Sequence, residues 1–266
     1  MNDTDVVLVE VADRIATVTL NRPEARNALS SEVLRRLPQV FREVEADDEV
    51  DVVILTGADP AFCAGLDLKE LGSTGDNLRA GDADGGATPG PFGRRGPIPP
   101  MTKPVIGAIN GAAITGGFEL ALACDFLVAS EHARFADTHA RVGVQPGWGL
   151  TVLLPEAVGV RRAREMSATG NFLTAKGALT WGLVNHVVPH HELLPFCRDI
   201  AHDIVHNDQD GVRQIYATYA EGTAGTTADA WDVEARHARA WRERGIGPEE
   251  VEARRQAIIE RGRTQL

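Results

Sequence analysis

Ile109-Asn-Gly-Ala-Ala-Ile-Thr-Gly-Gly-Phe-Glu-Leu-Ala-Leu-Ala-Cys-Asp125 decides how this chain is read. Gly116 and Gly117 stand directly before an apolar run and carry Glu119 into the first turn of the helix that the run predicts. Glycines let a backbone approach a ligand closely, and the opening turn of a helix leaves N–H groups without intrahelical acceptors. With the positive potential of a helix start added, such a corner suits an oxyanion that develops during a reaction. An acidic residue in a first turn also stabilises a helix by itself, so this stretch alone leaves a purely structural role for Glu119 open.

A second stretch upstream has the same grammar. Val52-Val-Ile-Leu-Thr-Gly57 reads as a buried strand, and Ala58-Asp-Pro-Ala-Phe-Cys-Ala-Gly-Leu-Asp-Leu-Lys69 follows it as a turn opening into a helix. Taken jointly, Phe62-Cys-Ala-Gly-Leu-Asp-Leu68, Lys103-Pro-Val-Ile-Gly-Ala-Ile109 and Asn110-Gly111 through Glu119 resemble the crotonase family, the enoyl-CoA hydratases and isomerases. The resemblance extends from Leu20-Asn-Arg-Pro-Glu-Ala-Arg-Asn-Ala-Leu29 through Phe135-Ala-Asp and Gly143-Val-Gln-Pro-Gly147 to Thr174-Ala-Lys-Gly-Ala and Gly182-Leu-Val184. Each piece is weak alone; their order along the chain makes the pattern specific.

Composition sets bounds on the partners. The 266 residues carry a formal charge of −11, which argues against nucleic acid and anionic membranes, since both select a basic face. No apolar run approaches the roughly 20 residues of a membrane span, and Met1-Asn-Asp-Thr-Asp5 lacks the features of a signal peptide, so a cytoplasmic protein is expected. Cys63, Cys124 and Cys197 are odd in number and far apart, which suggests neither disulfides nor zinc. His202 and His206 are four apart on an expected helix, but a third ligand is missing, so no metal is assigned.

Short β-rich runs at Val6–Val11 and Ile15–Leu20 predict a hairpin, Ser30 or Ser31 caps a helix reaching about Glu45, and strands follow at 52–55, 105–109 and 126–129. The Gly72–Pro100 span, rich in Gly, Pro, Asp and Ser, reads as a long loop of the kind that forms lids. Alternating strands and helices imply an α/β core, and the resemblance implies a spiral of strand-strand-helix units over residues 1–190. Residues 191–266 read as helical, closing with Val251, Ile258 and Ile259 on one helix face; family members use this tail to build trimers and dimers of trimers.

The resemblance also implies the chemistry. Enzymes of acyl-CoA thioesters need two donors on the carbonyl oxygen, because the enolate is the costly species, and an acid or base near the α and β carbons. By position, the backbone N–H groups of Leu66 and Gly116 match the oxyanion hole, and Glu119 matches one of the two hydratase glutamates. The second glutamate is replaced by His139. Histidine moves protons near neutral pH, so a Glu119–His139 pair is chemically competent, while a structural histidine is the alternative. Arg26 and Lys69 are candidates for the CoA phosphates, with solvated surface charge as the other reading; Ala64, Asp67 and Leu68 would line the adenine and pantetheine path through their backbones. Gly147 matches a turn beside the attacking water, and the bulk of Trp148 would shorten or reshape the acyl pocket. The implied activity is addition of water to a 2-enoyl-CoA, with CoA part of the substrate and no separate cofactor. Isomerisation, thioester hydrolysis and acyl-CoA binding without catalysis remain the alternatives, because His139 departs from the hydratase pattern.

Overall fold

A computed structural model describes residues 5–77, 80, 96–222, 225, 232–233, 236–237 and 240. The chain divides into two compact units, Met1–Arg213 and Gln214–Leu266. The expected closing helix with Val251, Ile258 and Ile259 lies outside the described residues, as do residues 78–79 and 81–95 of the expected long loop.

The first unit opens with β1 (Val7–Ala12) and β2 (Ile15–Leu20), paired antiparallel with Ala12 opposite Ile15. Asp13 and Arg14, at φ of 52° and 64°, make the two-residue turn; left-handed residues at both central positions match the twist of a tight hairpin. Ser30 then caps α1 (Ser31–Ala46), its hydroxyl accepting from the Val33 N–H at 3.3 Å. Beyond α1, the chain repeats a plan in which one strand enters a large sheet, the next enters a small one, and a helix returns. β3 (Val52–Gly57), β4 (Ala61–Cys63) and α2 (Leu68–Ser73) form the first such turn. The second is β5 (Val105–Ile109), β6 (Ala112–Ile114) and α3 (Gly116–Leu122). The third is β7 (Phe126–Ser130) and β8 (Arg134–Ala136), followed by α4 (His139–Val142), α5 (Leu150–Val158) and α6 (Val160–Thr169). β9 (Leu173–Thr174), α7 (Ala175–Trp181) and β10 (His186–Val188) complete the sheets, in the orders β1-β2-β3-β5-β7-β10 and β4-β6-β8-β9.

This is the expected α/β spiral, and the four short strands of the small sheet are what periodicity could not show. β4, β6 and β8 have three residues each and β9 has two, too few to display an alternation. The central strands β3 and β5 are buried along their whole length because alternate side chains feed two cores. Val53, Leu55, Val105 and Ile109 point into the larger core with Phe41, Phe62, Phe118 and Phe135. Val52, Ile54, Ile106 and Ala108 point the other way, onto Leu193, Cys197 and Ala201 of α8 (Leu193–Val205), whose four-residue spacing is one helix face. The helical stretch expected from residue 191 therefore begins with an element that belongs to the core of the first unit. It is followed by α9 (Gln209–Gly222).

The two sheets bring the glycine loops into contact. Gly65 sits at φ +89°, and a Cβ there would lie 2.8 Å from the Ile114 carbonyl oxygen. Gly117 is tighter still, since a Cβ would meet the Cys63 carbonyl oxygen at 2.2 Å and the Cys63 Cβ at 2.7 Å. The loop after β4 thus packs backbone to backbone on the start of α3. Gly117→Ala is expected to lower stability by about 3 kcal/mol or to prevent soluble expression, because the Cys63 carbonyl oxygen and Cβ are held by strand β4; urea unfolding of the variant against wild type measures it, and a change under about 0.5 kcal/mol would contradict this packing.

Candidate active site

Where the loop after β4 meets the start of α3, a cleft of about 260 Å³ opens, lined by Leu66, Asn77, Thr115, Gly116, Glu119, His139, Val144, Gln145, Gly147 and Trp148. Six of the residues singled out in the sequence converge here: Leu66, Gly116, Glu119, His139, Gly147 and Trp148.

The backbone explains the donor pair. Leu66 forms a parallel bridge with Leu29, in which the bonds are made by its neighbours: Leu29 N–H donates to the Gly65 carbonyl and Asp67 N–H to the Leu29 carbonyl. The N–H of Leu66 consequently points away from Leu29. Gly116 is the first residue of α3, and its N–H has no acceptor within the helix. Thr115 directs it: at φ 53° and ψ −116° this residue occupies backbone space that a β-branched side chain rarely adopts. The conformation is held by the Thr115 N–H on the Ala136 carbonyl at 2.9 Å and by the hydroxyl pair of Thr115 and Thr138. An unusual backbone held by strand β8 and Thr138 is a cost the fold carries at the position that orients Gly116.

Glu119, 3% exposed, projects from the first turn of α3. Its Oε1 accepts from the N–H groups of Trp148 at 2.8 Å and Leu150 at 3.4 Å. Leu150 opens α5, so the carboxylate serves a donor that this helix cannot satisfy itself. Its Oε2 lies 3.4 Å from Nε2 of His139. On the other side of the ring, Nδ1 meets Oδ1 of Asp137 at 2.6 Å, and the same oxygen accepts the His139 backbone N–H at 3.1 Å. Asp137, 2% exposed, therefore joins the site as a third ionisable group.

These contacts fix the charge. Burial by itself disfavours the imidazolium, but the hydrogen bonds to Asp137 and Glu119 and the charges of both outweigh it, raising the His139 pKa to about 9. Asp137 also feels burial first, which raises a carboxyl pKa; hydrogen bonds from His139 and Ser167 overcome this and hold it below its ordinary value. At neutral pH the His139 ring is a cation lying between the side chains of Asp137 and Glu119. Asp137 is not singled out in the sequence, although Phe135-Ala-Asp carries part of the family likeness; an aspartate two residues before a histidine carries no general signal, and both residues lie beyond the end of β8, outside any strand alternation.

The remaining candidates lie outside the cleft lining. Asp67 caps α2, accepting from the Lys69 N–H at 3.0 Å, and pairs with Arg22 at 3.0 Å. Ala64 donates its N–H to the Arg26 carbonyl at 3.0 Å, so Arg26 adjoins the loop that ends in Leu66. The Arg26 and Lys69 side chains are exposed, as is Leu68 at 61%. Burial pushes the Cys63 thiol up to about 12, and a neutral, fully enclosed thiol is no nucleophile. Among the described residues no group of three or more His, Cys, Asp or Glu could hold a metal ion, and His206 bonds instead to the His202 carbonyl at 2.6 Å.

Known proteins resemble this chain over most of its length. The family model described as enoyl-CoA hydratase/isomerase matches residues 10–245. A protein of Arabidopsis thaliana named probable enoyl-CoA hydratase 1, peroxisomal, is 40% identical over 251 residues, covering 93% of this chain and 90% of that protein. Among solved structures, an enoyl-CoA hydratase from Mycobacterium tuberculosis is 51% identical with a TM-score of 0.74, covering 88% of this chain and 98% of its own. Another, from Bacillus anthracis, is 30% identical with a TM-score of 0.80, covering 96% of each chain.

The raised His139 pKa sets a pH dependence of stability. Protons bind more tightly in the folded state, so the contribution is fully present below the unfolded pKa of 6.5 and is lost as pH rises through about 9. Wild type is expected to lose on the order of 1–3 kcal/mol between pH 7 and 9.5 relative to His139→Gln, read as the difference between their urea midpoints. Parallel pH profiles for the two proteins would show that His139 is not protonated in the folded state.

Proposed function

The chain belongs to the enoyl-CoA hydratase/isomerase family, and from that premise we propose that it adds water across the double bond of a 2-enoyl-CoA with Glu119 as base and His139 as acid. The observation that carries this is the Glu119–His139 pair at 3.4 Å, opposite the Leu66 and Gly116 N–H groups in one cleft. The thioester oxygen sits between these two N–H groups. Glu119 takes a proton from water as its oxygen attacks Cβ. The double-bond electrons move onto the carbonyl oxygen as an enolate, which the two donors stabilise; each such donor is worth roughly 10²–10³ in rate where measured. His139 Nε2–H then delivers its proton to Cα, the carbonyl re-forms, and the proton held by Glu119 passes to His139 to close the cycle.

Two carboxylates would share one proton to have both an acid and a base. A carboxylate beside an imidazolium separates these roles permanently, because each group already carries the right charge at neutral pH. Asp137 is a positioning residue: it touches no reacting atom, fixes the ring through Nδ1 and helps to keep it charged. The carboxylate that family isomerases use corresponds as a rule to the position His139 occupies, and an imidazolium there has no lone pair to offer. CoA supplies the only prosthetic chemistry and arrives with the substrate. Its phosphates meet Arg26, which adjoins the loop that carries Leu66, and Lys69 in the first turn of α2, both exposed. Assembly into trimers or dimers of trimers belongs to the same reading, supported by the exposed apolar residues Val152, Val160, Phe172 and Leu179. So does a cytoplasmic location, supported by three cysteines that are all buried and free.

Glu119→Gln is expected to lower kcat by about 100-fold or more on crotonyl-CoA while KM changes a few-fold. The wild-type rate should fall on the alkaline side with an apparent pKa near 9 that belongs to the pair, and His139→Gln should lose both rate and that limb. Hydration by Glu119→Gln at the wild-type rate, followed as loss of the enoyl thioester absorbance, would remove Glu119 from the base role.

A further inference from the structure

Two threonines leave uncapped the helices that carry the reacting pair. Thr115 is the N-cap of α3, which presents Glu119, and Thr138 is the N-cap of α4, which opens with His139. A threonine at such a position ordinarily turns its oxygen onto an N–H of the first turn. Here neither side chain caps its own helix, and the two hydroxyls bond to each other. The pair lies just past the end of the small sheet. β6 and β8 run parallel with Ile114 opposite Ala136, and the Thr115 N–H on the Ala136 carbonyl at 2.9 Å extends that ladder. Beyond it the two stretches of chain part as α3 and α4, and the hydroxyl bond spans the fork.

The residue type at 115 points the same way. At φ 53° and ψ −116° glycine is unstrained and threonine is not, so a side chain kept there has a use that outweighs its strain. That side chain is buried beside the donor loops: a Cβ on Gly65 would lie 3.3 Å from the Thr115 Cβ and 3.6 Å from the Gly116 nitrogen. We propose that Thr115 and Thr138 are positioning residues, and that the bond between their hydroxyls sets Glu119 and His139 at working distance. The inference rests on the hydration reading, in which base and acid act on adjacent carbons of one substrate. A displacement of about 1 Å in such an arrangement can lower the rate about 100-fold. Asp137 fixes how the His139 ring turns; the threonine pair fixes where the start of α4 stands against the start of α3. The role requires no contact of either hydroxyl with the substrate.

Thr138→Val keeps the shape of the side chain and deletes the bond. On crotonyl-CoA its kcat should fall about tenfold or more while KM stays within about twofold, and Thr138→Ser, which keeps the hydroxyl, should retain most of the rate. Thr115→Gly deletes the same bond from the other side and removes the backbone strain, so it remains informative if the valine variant does not fold. Its kcat should fall alike, and the double variant should be within about twofold of the slower single variant, because both substitutions break one bond. Wild-type kcat in Thr138→Val or in Thr115→Gly, or losses that multiply in the double variant, overturns the proposal. Nitrogen-15 NMR reads the geometry without turnover. The His139 ring, kept charged by Asp137 and Glu119, should lose part of its raised pKa of about 9 in Thr138→Val and recover it in Thr138→Ser. A His139 titration unchanged in both Thr138→Val and Thr115→Gly overturns the proposal whatever the wild type catalyses. A titration that shifts in these variants of a protein that hydrates no enoyl ester would sink the hydration reading while supporting the threonine pair.

Discussion

The carboxylate of Glu119 is where the fold and the chemistry meet. It reaches back from α3 to accept the backbone N–H groups of Trp148 and Leu150, and so ties the start of α5 to the helix that also presents Gly116. One oxygen holds the scaffold; the other faces His139. A neutral ring would leave two buried carboxylates close to one another with no cation between them. Asp137 removes that difficulty by accepting from Nδ1, and the ring becomes an imidazolium at the cost of burying three charged groups in a row. Such a row is weak as a source of stability, and its value lies in fixing which group donates and which accepts.

Everything around the row serves to hold it still. Gly117 has no room for a Cβ against the Cys63 carbonyl, so the β4 loop and α3 cannot drift apart without breaking the packing of the small sheet. Thr115 is kept in a costly backbone conformation by β8 and Thr138, and that conformation aims the Gly116 N–H. Preorganised donors of this sort act without rearranging during the reaction, which is why strain stored in the free protein is compatible with catalysis. The central parallel strands β3 and β5 of the large sheet, buried on both faces and covered by α8 on one of them, supply the rigid base for these loops.

Much of this was legible in the sequence, and the failures have physical causes. The long strands β3 and β5 and the cap at Ser30 carry local signals, namely continuous apolar runs and a side-chain oxygen before a helical pattern. Gly116 and Glu119 carry a local signal, a glycine pair before a helix with an acid in its first turn, whereas Leu66 and His139 are singled out through the resemblance to the crotonase family; all four line one cleft. The small sheet was invisible since strands of two or three residues have no period. Asp137 escaped for a different reason: it bonds to His139 two residues on, and that bond gains its meaning only from Glu119, far off in the chain, which meets the other side of the ring. Asp67, expected to line the CoA path through its backbone, commits its side chain to Arg22 and to the cap of α2.

The central claim is that His139 is a cation because Asp137 and Glu119 flank it. Nitrogen-15 NMR of the histidine side chains, assigned by comparison with His139→Gln, measures its charge directly. The account predicts that both ring nitrogens of His139 are protonated at pH 7, that the ring titrates near 9, and that Asp137→Asn lowers this pKa by a unit or more, by roughly the 1.4 kcal/mol that one unit represents. A His139 ring that is neutral at pH 7 with a pKa at or below 6.5, unmoved by Asp137→Asn, would contradict it.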